Sequence, residues 1–147
     1  MIPKRIVIDT NVCLDLFVFQ DPRWSGLMAA LQSGEVEAVT RADCRMEWQL
    51  VLHYSHLPIS DETRPGFNAA FEAHIKCIEA EALSPRTDVR LPLCSDTDDQ
   101  KFLELALGAH ASTLITKDKA LLKLARKTAK LGLFSIIGPQ SWCLPQP

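Results

Sequence analysis

Arg5-Ile6-Val7-Ile8-Asp9-Thr10-Asn11 opens the chain on three β-branched apolar residues in a row, stopped by an acid. A continuous apolar run, rather than an alternating one, is what a strand buried on both faces needs. Working outward, Leu14, Phe17 and Val18 suggest a helical turn after it. Trp24, Leu27, Met28 and Leu31 repeat at helical spacing, and Gly34 supplies a helix stop. Val36-Glu37-Ala38-Val39 predicts a second strand, and Met46, Leu50, Val51 and Tyr54 a helix ending before Pro58. A long helix is expected from Pro65 to Ala82, with Phe67, Phe71, His74, Ile75 and Ile78 on one face. Residues 84–95 carry two prolines and no period, as a loop does. Phe102, Leu103, Ala106 and Leu107 mark the next helix, up to Gly108. Ser112-Thr113-Leu114-Ile115-Thr116 is a strand, Leu121 to Ala125 a helix stopped by Gly132, and Phe134-Ser135-Ile136-Ile137 a last strand. Strands alternating with helices predict a three-layer α/β/α sandwich around a central, mainly parallel sheet. Residues 1–139 are expected to form one domain, and 140–147, rich in proline, a loose tail.

Composition sets the outer bounds. The 147 residues fit one domain with a real core, and 47% hydrophobic with 23% charged residues is ordinary globular composition. No apolar run approaches the roughly 20 residues of a membrane helix. The N-terminus reaches Lys4 and Asp9 too early for a signal peptide, so a cytoplasmic protein is expected. Five dispersed cysteines (Cys13, Cys44, Cys77, Cys94, Cys143) form no C-x-x-C pair and read as buried free thiols. The six glycines make no phosphate-binding or dinucleotide motif, and no G-x-S-x-G is present. The net charge of −2 excludes a uniformly basic binder but hides a division. Asp61 to Glu104 holds ten acids against five bases, whereas Lys117 to Lys130 holds six bases against one acid.

Acidic residues fall where a parallel sheet places its ligands, beyond the C-terminal strand ends. Asp9 ends the first strand, and Asp118 follows Leu114-Ile115-Thr116. Glu47 precedes Leu50, Val51 and Tyr54, and Asp99 precedes Phe102, Leu103 and Ala106, at offsets of three, four and seven. Such offsets put each acid at the head of an inward helical stripe. Singly, each of Glu47, Asp99 and Asp118 is accounted for as a helix cap, and Asp96 fits that role best. Asp98 lies off the stripe, as a solvated residue does. Four carboxylates gathered at one edge repel one another and raise each other's pKa. A divalent cation removes that cost, and an all-oxygen ligand set selects Mg²⁺ or Mn²⁺.

Ile6-Val7-Ile8-Asp9-Thr10-Asn11-Val12 resembles the opening motif of PIN-domain ribonucleases. Cys94-Ser95-Asp96-Thr97-Asp98-Asp99-Gln100-Lys101-Phe102-Leu103-Glu104-Leu105-Ala106 is similar to the third acidic block of the branch assigned as toxins of type II toxin–antitoxin systems. Leu114-Ile115-Thr116-Lys117-Asp118-Lys119-Ala120-Leu121-Leu122 resembles the fourth. The second block is the weakest match, with Glu47 in Arg45-Met46-Glu47-Trp48-Gln49-Leu50-Val51-Leu52, and Thr40 to Cys44 departs from the usual helix entry. The resemblance implies a PIN-like fold and a metal-dependent endoribonuclease. Asp9, Glu47, Asp99 and Asp118 would be its catalytic and metal-binding acids, and Asp96 an auxiliary metal-binding acid. Thr10, Asn11 and Thr116 would give polar support. One or two Mg²⁺ or Mn²⁺ ions, an RNA substrate and a cognate antitoxin are implied partners. Lys117, Lys119 and Lys123, beside Asp118, are candidate contacts to the RNA backbone.

Other residues have simpler accounts. His53 and His56 stand three apart on the expected helix without matching carboxylates, and His74 and His110 are isolated. Trp24, Trp48 and Trp142 offer stacking faces, but core packing explains them better. The expected long helix suits core packing, a homodimer face or an antitoxin contact equally. Two other functions stay open: a non-catalytic module binding RNA or protein, and a small-molecule phosphatase with Asp9 as nucleophile. The latter wants a second Asp two positions on, where Asn11 stands.

Overall fold

The computed structural model of the chain describes residues 3–84 and 87–142. Five strands, β1 (Lys4–Ile8), β2 (Val36–Thr40), β3 (Ile75–Cys77), β4 (Thr113–Ile115) and β5 (Ser135–Ile137), form one sheet in the order β3-β2-β1-β4-β5. All four pairings are parallel, and Ile6 of β1 lies between Ala38 of β2 and Thr113 of β4. The helices are α1 (Thr10–Phe17), α2 (Ser25–Ser33), α3 (Ala42–Val51), α4 (Arg64–His74), α5 (Gln100–Gly108), α6 (Lys119–Leu122) and α7 (Ala125–Lys130).

The opening apolar run explains the layering. Successive strand side chains point to opposite faces. Ile6 and Ile8 join a core with Leu16, Phe17, Leu31, Trp48 and Phe71, drawn from α1 to α4. Val7 joins the other core, with Leu103 and Ala106 of α5, Leu114, Leu121 and Ile136. Both faces of β1 are therefore dry from Ile6 to Ile8, and each such side chain contributes roughly 1.5–3 kcal/mol of burial. Helix α3 contributes to both cores. It gives Trp48 to the first core and Cys44 to the second. Gly34 ends α2 in the left-handed region at φ +80, which glycine adopts without penalty.

Several expectations are corrected. The long helix from Pro65 to Ala82 stops at His74, and Ile75–Cys77 is instead the edge strand β3, followed by a 3₁₀ turn at Ala80–Ala82. Its backbone pairs with Ala38–Thr40, which outweighs the continuing helical pattern. Helix α3 ends at Val51, so His53 and His56 sit in an exposed turn rather than on a helix. Its inward residues are Cys44, Trp48 and Val51. Leu50 (60% exposed) and Tyr54 (51%) face solvent, so Glu47 does not head an inward stripe with them. Cys13, Cys44 and Cys94 are buried free thiols, but Cys77 is exposed on β3. Pro139–Ser141 is a 3₁₀ turn and Trp142 packs on the first core. Residues 143–147, with Cys143, lie outside the described residues. Among the described residues, no helix is long and apolar enough to cross a membrane.

Candidate functional site

The chain runs from β1 outward to β2 and β3, then returns to add β4 and β5 on the other side. The reversal leaves a crevice beyond the C-terminal ends of β1 and β4, where sheets of this kind take ligands. Asp9 follows β1 there, and Thr116 and Asp118 follow β4.

Asp9 is 3% exposed and stands at the N-cap position of α1, yet its side chain caps nothing. Its Oδ2 instead accepts a 2.7 Å bond from the Thr116 hydroxyl. Burial pushes its carboxyl up to about 6, opposed by that bond and assisted by the charges of Glu47 and Asp118. Asp99, the last residue of the 3₁₀ turn Thr97–Asp99 that leads into α5, is 8% exposed. Its Oδ2 is buried with no hydrogen-bond partner among the described residues. Burial, then the Asp118 carboxyl against it and the charge of Asp9, push Asp99 up to about 8. Asp9, in extended conformation at the start of α1, thus forgoes a cap worth about 1 kcal/mol.

Asp118 does cap its helix, accepting from Ala120 N at 2.8 Å, while its own N–H donates to Thr116 Oγ1 at 2.9 Å. Asp96 caps the turn Thr97–Asp99 by accepting from Asp98 N at 3.0 Å. Asp96, Asp99 and Asp118 each present a carboxylate oxygen within 4.8 Å of the other two. The tightest group is thus these three aspartates. Asp9 adjoins it, and Glu47 stands apart: its Oε2 accepts from the Thr10 hydroxyl and its Oε1 from Lys101 Nζ at 3.0 Å. Asp98 is exposed, as expected.

The supporting residues fall around this group. Thr10 braces Glu47, Thr116 braces Asp9, and Asn11 Oδ1 accepts from Lys117 N at 3.4 Å. Arg41, at the entry of α3, pairs with Asp43 of its first turn and Glu104 of α5. The Lys117 ammonium pairs with Asp15 at 2.8 Å. Lys119 and Lys123 are exposed, and neither has an ion-pair partner among the described residues. Sequence alone missed Lys101 and Asp15. Lys101 had a signal in its place just after the acidic run Asp96-Thr97-Asp98-Asp99. Asp15, 7% exposed, also accepts from Trp24 Nε1 at 3.1 Å, and its place in an apolar helix was the clue. Trp48 and His74 belong to the core: Trp48 stacks on Phe71, and His74 on Phe17.

Asp9 and Asp99 bind protons more tightly in the folded chain than in the unfolded one. Stability of the metal-free protein should therefore fall as the pH rises from below about 5 through about 8. Thermal unfolding in chelator across that range checks this; a midpoint rising steadily with pH would contradict it.

A fully parallel sheet between helical layers, with acids at its switch point, defines the PIN-like α/β class. The chain belongs to the PIN-domain family, whose model, described as PIN domain, matches residues 5–120. Its fold is similar to a chain of the crystal structure of VapBC2 from Rickettsia felis bound to a DNA fragment from their promoter. That likeness has a TM-score of 0.57 at 13% identity, over 91% of this chain and 98% of the other. No curated protein matches by sequence.

Proposed function

We propose that this protein is an endoribonuclease that uses divalent metal ions and acts as the toxin of a type II toxin–antitoxin system. The buried, unpartnered Asp99 oxygen beside Asp96 and Asp118 is the observation that carries this reading. A buried carboxylate oxygen without a partner is costly, and a hard cation is the group that satisfies several such oxygens at once. Mg²⁺ or Mn²⁺ suits an oxygen-only donor set, with Asp96, Asp99 and Asp118 as principal ligands and Asp9 and Glu47 beside them. Bound there, such an ion supplies acidification of water and neutralisation of phosphate charge. The chain's own part is positioning. Thr116 fixes Asp9, Thr10 and Lys101 fix Glu47, and Lys119 and Lys123 offer exposed ammonium groups to an RNA backbone. Family membership supports nuclease chemistry. The likeness to a VapBC2 chain supports a protein antitoxin as partner.

The test is cleavage of single-stranded RNA by purified protein with Mn²⁺, beside Asp9→Asn. The variant is expected to lose at least about 10²-fold in rate. Equal cleavage by both proteins would mean that the activity lies elsewhere. Metal binding without cleavage of any RNA would favour a binding module, and hydrolysis of small phosphate esters alone a phosphatase.

A further inference from the structure

Lys101 is the residue of this site that the acidic pattern does not explain. It lies near the start of α5, just after the 3₁₀ turn Thr97–Asp99 that carries Asp98 and Asp99. Its ammonium donates to Glu47 Oε1 at 3.0 Å and to the backbone carbonyl of Asp98. It also lies 5.3 Å from the centre of the Phe102 ring. The pair is largely shielded, with 19% of the Lys101 and 27% of the Glu47 side chain exposed. The other Glu47 oxygen is engaged by Thr10, so both carboxylate oxygens are taken. Glu47 is outside the group in which Asp96, Asp99 and Asp118 lie within 4.8 Å of one another.

We infer that Lys101 is a positioning residue: its ammonium holds Glu47 away from the three aspartates, so that they alone take up the first divalent ion. This rests on the metal-binding part of the proposed function. Lys101 already satisfies Glu47, so bringing Glu47 to the ion means breaking a shielded ion pair. Without the ammonium, Glu47 is a free carboxylate beside an acidic group that binds a cation. The lysine thus sets which acids meet the first ion, and lowers the affinity of the site for it.

Calorimetric titration of the full chain with Mn²⁺ tests this. Lys101→Met is expected to tighten the first Kd on the order of tenfold, and Lys101→Arg to leave it within about twofold. Glu47→Gln alone should change it by less than about threefold. In the Glu47→Gln background, Lys101→Met should lose most of its effect, which isolates the coupling between the two residues. An unchanged or weaker Kd in Lys101→Met overturns the inference. So does equal tightening in both backgrounds, which would mark a bare charge effect. Should Lys101→Met fail to fold, Glu47→Gln still decides: first-ion binding weakened as severely as by Asp99→Asn overturns it. Wild-type protein that binds no Mn²⁺ overturns both the metal site and this inference. The expected affinities with no RNA cleavage by any protein overturn only the nuclease reading.

Discussion

Asp99→Asn is expected to lower Mn²⁺-supported RNA cleavage by more than about 10³-fold, and to raise the thermal midpoint of the metal-free protein by several degrees. The two effects have one cause. Asp99 is buried beside Asp118, Asp96 and Asp9, and its Oδ2 has no hydrogen-bond partner among the described residues. Without metal that carboxyl is a destabilising group, held largely protonated at neutral pH by burial and by its neighbours. An uncharged amide of nearly the same shape relieves the repulsion. With metal, the same carboxylate is expected to be a ligand, and the amide a poor one. A gain of about 1 kcal/mol shifts the midpoint of a chain this long by roughly 4 °C. Differential scanning calorimetry in chelator, with and without excess Mn²⁺, reads both sides. The wild type should gain more from the ion than the variant, and more at pH 8 than at about pH 5.5, because the ligands must be ionised. A variant that is less stable without metal, or that keeps cleaving RNA, would remove Asp99 from the proposed role.

Trp48→Ala carries the second large effect, a loss of about 3–5 kcal/mol in unfolding free energy. Trp48 is 1% exposed. Its ring stacks on Phe71 at 4.7 Å between centroids, meets Phe17 edge-on at 6.1 Å, and donates Nε1–H to Asn68 Oδ1 at 3.1 Å. Alanine leaves a cavity between α1, α3 and α4 and an unpaired Asn68. Since a chain of this size has only about 5–15 kcal/mol in hand, the variant should be marginal at 37 °C. Because Trp48 adjoins Glu47 on α3, its packing also fixes the helix that presents that carboxylate. Urea unfolding measures the loss; less than about 1 kcal/mol would mean that α3 is held by its Arg41 contacts instead.

The elements readable from the chain were those with a strong local signal. Ile6-Val7-Ile8 announced a strand buried on both faces, and the structure puts Ile6 and Ile8 in one core and Val7 in the other. Gly34 announced a helix end and supplies it at φ +80. Ile75–Cys77 was missed because Ile75 and Ile78 fit the helical stripe of the preceding residues equally well, and only pairing with Ala38–Thr40 decides for a strand. Glu47 was located, but its surroundings were misread. The spacing suggests Leu50 and Tyr54 as inward, whereas α3 turns Cys44, Trp48 and Val51 inward and Leu50 to solvent, and Tyr54 lies beyond the helix end in an exposed turn.

By itself, the sequence determined the parallel α/β order and the placing of acids at strand ends and helix starts. These follow from periodicity and terminal chemistry within a few residues of each position. The tertiary structure alone decided how the acids are grouped. Thr116 reaches Asp9 across 107 positions, Lys101 reaches Glu47 across 54, and Thr10 reaches Glu47 across 37. Contacts at such separations leave no mark on local periodicity. They depend on strand order, which brings β1 beside β4, and on the packing that sets the rotation of α3 and α5. Strand order and packing make three aspartates a tight cluster, leave one of their buried oxygens without a partner, and give Glu47 to a lysine.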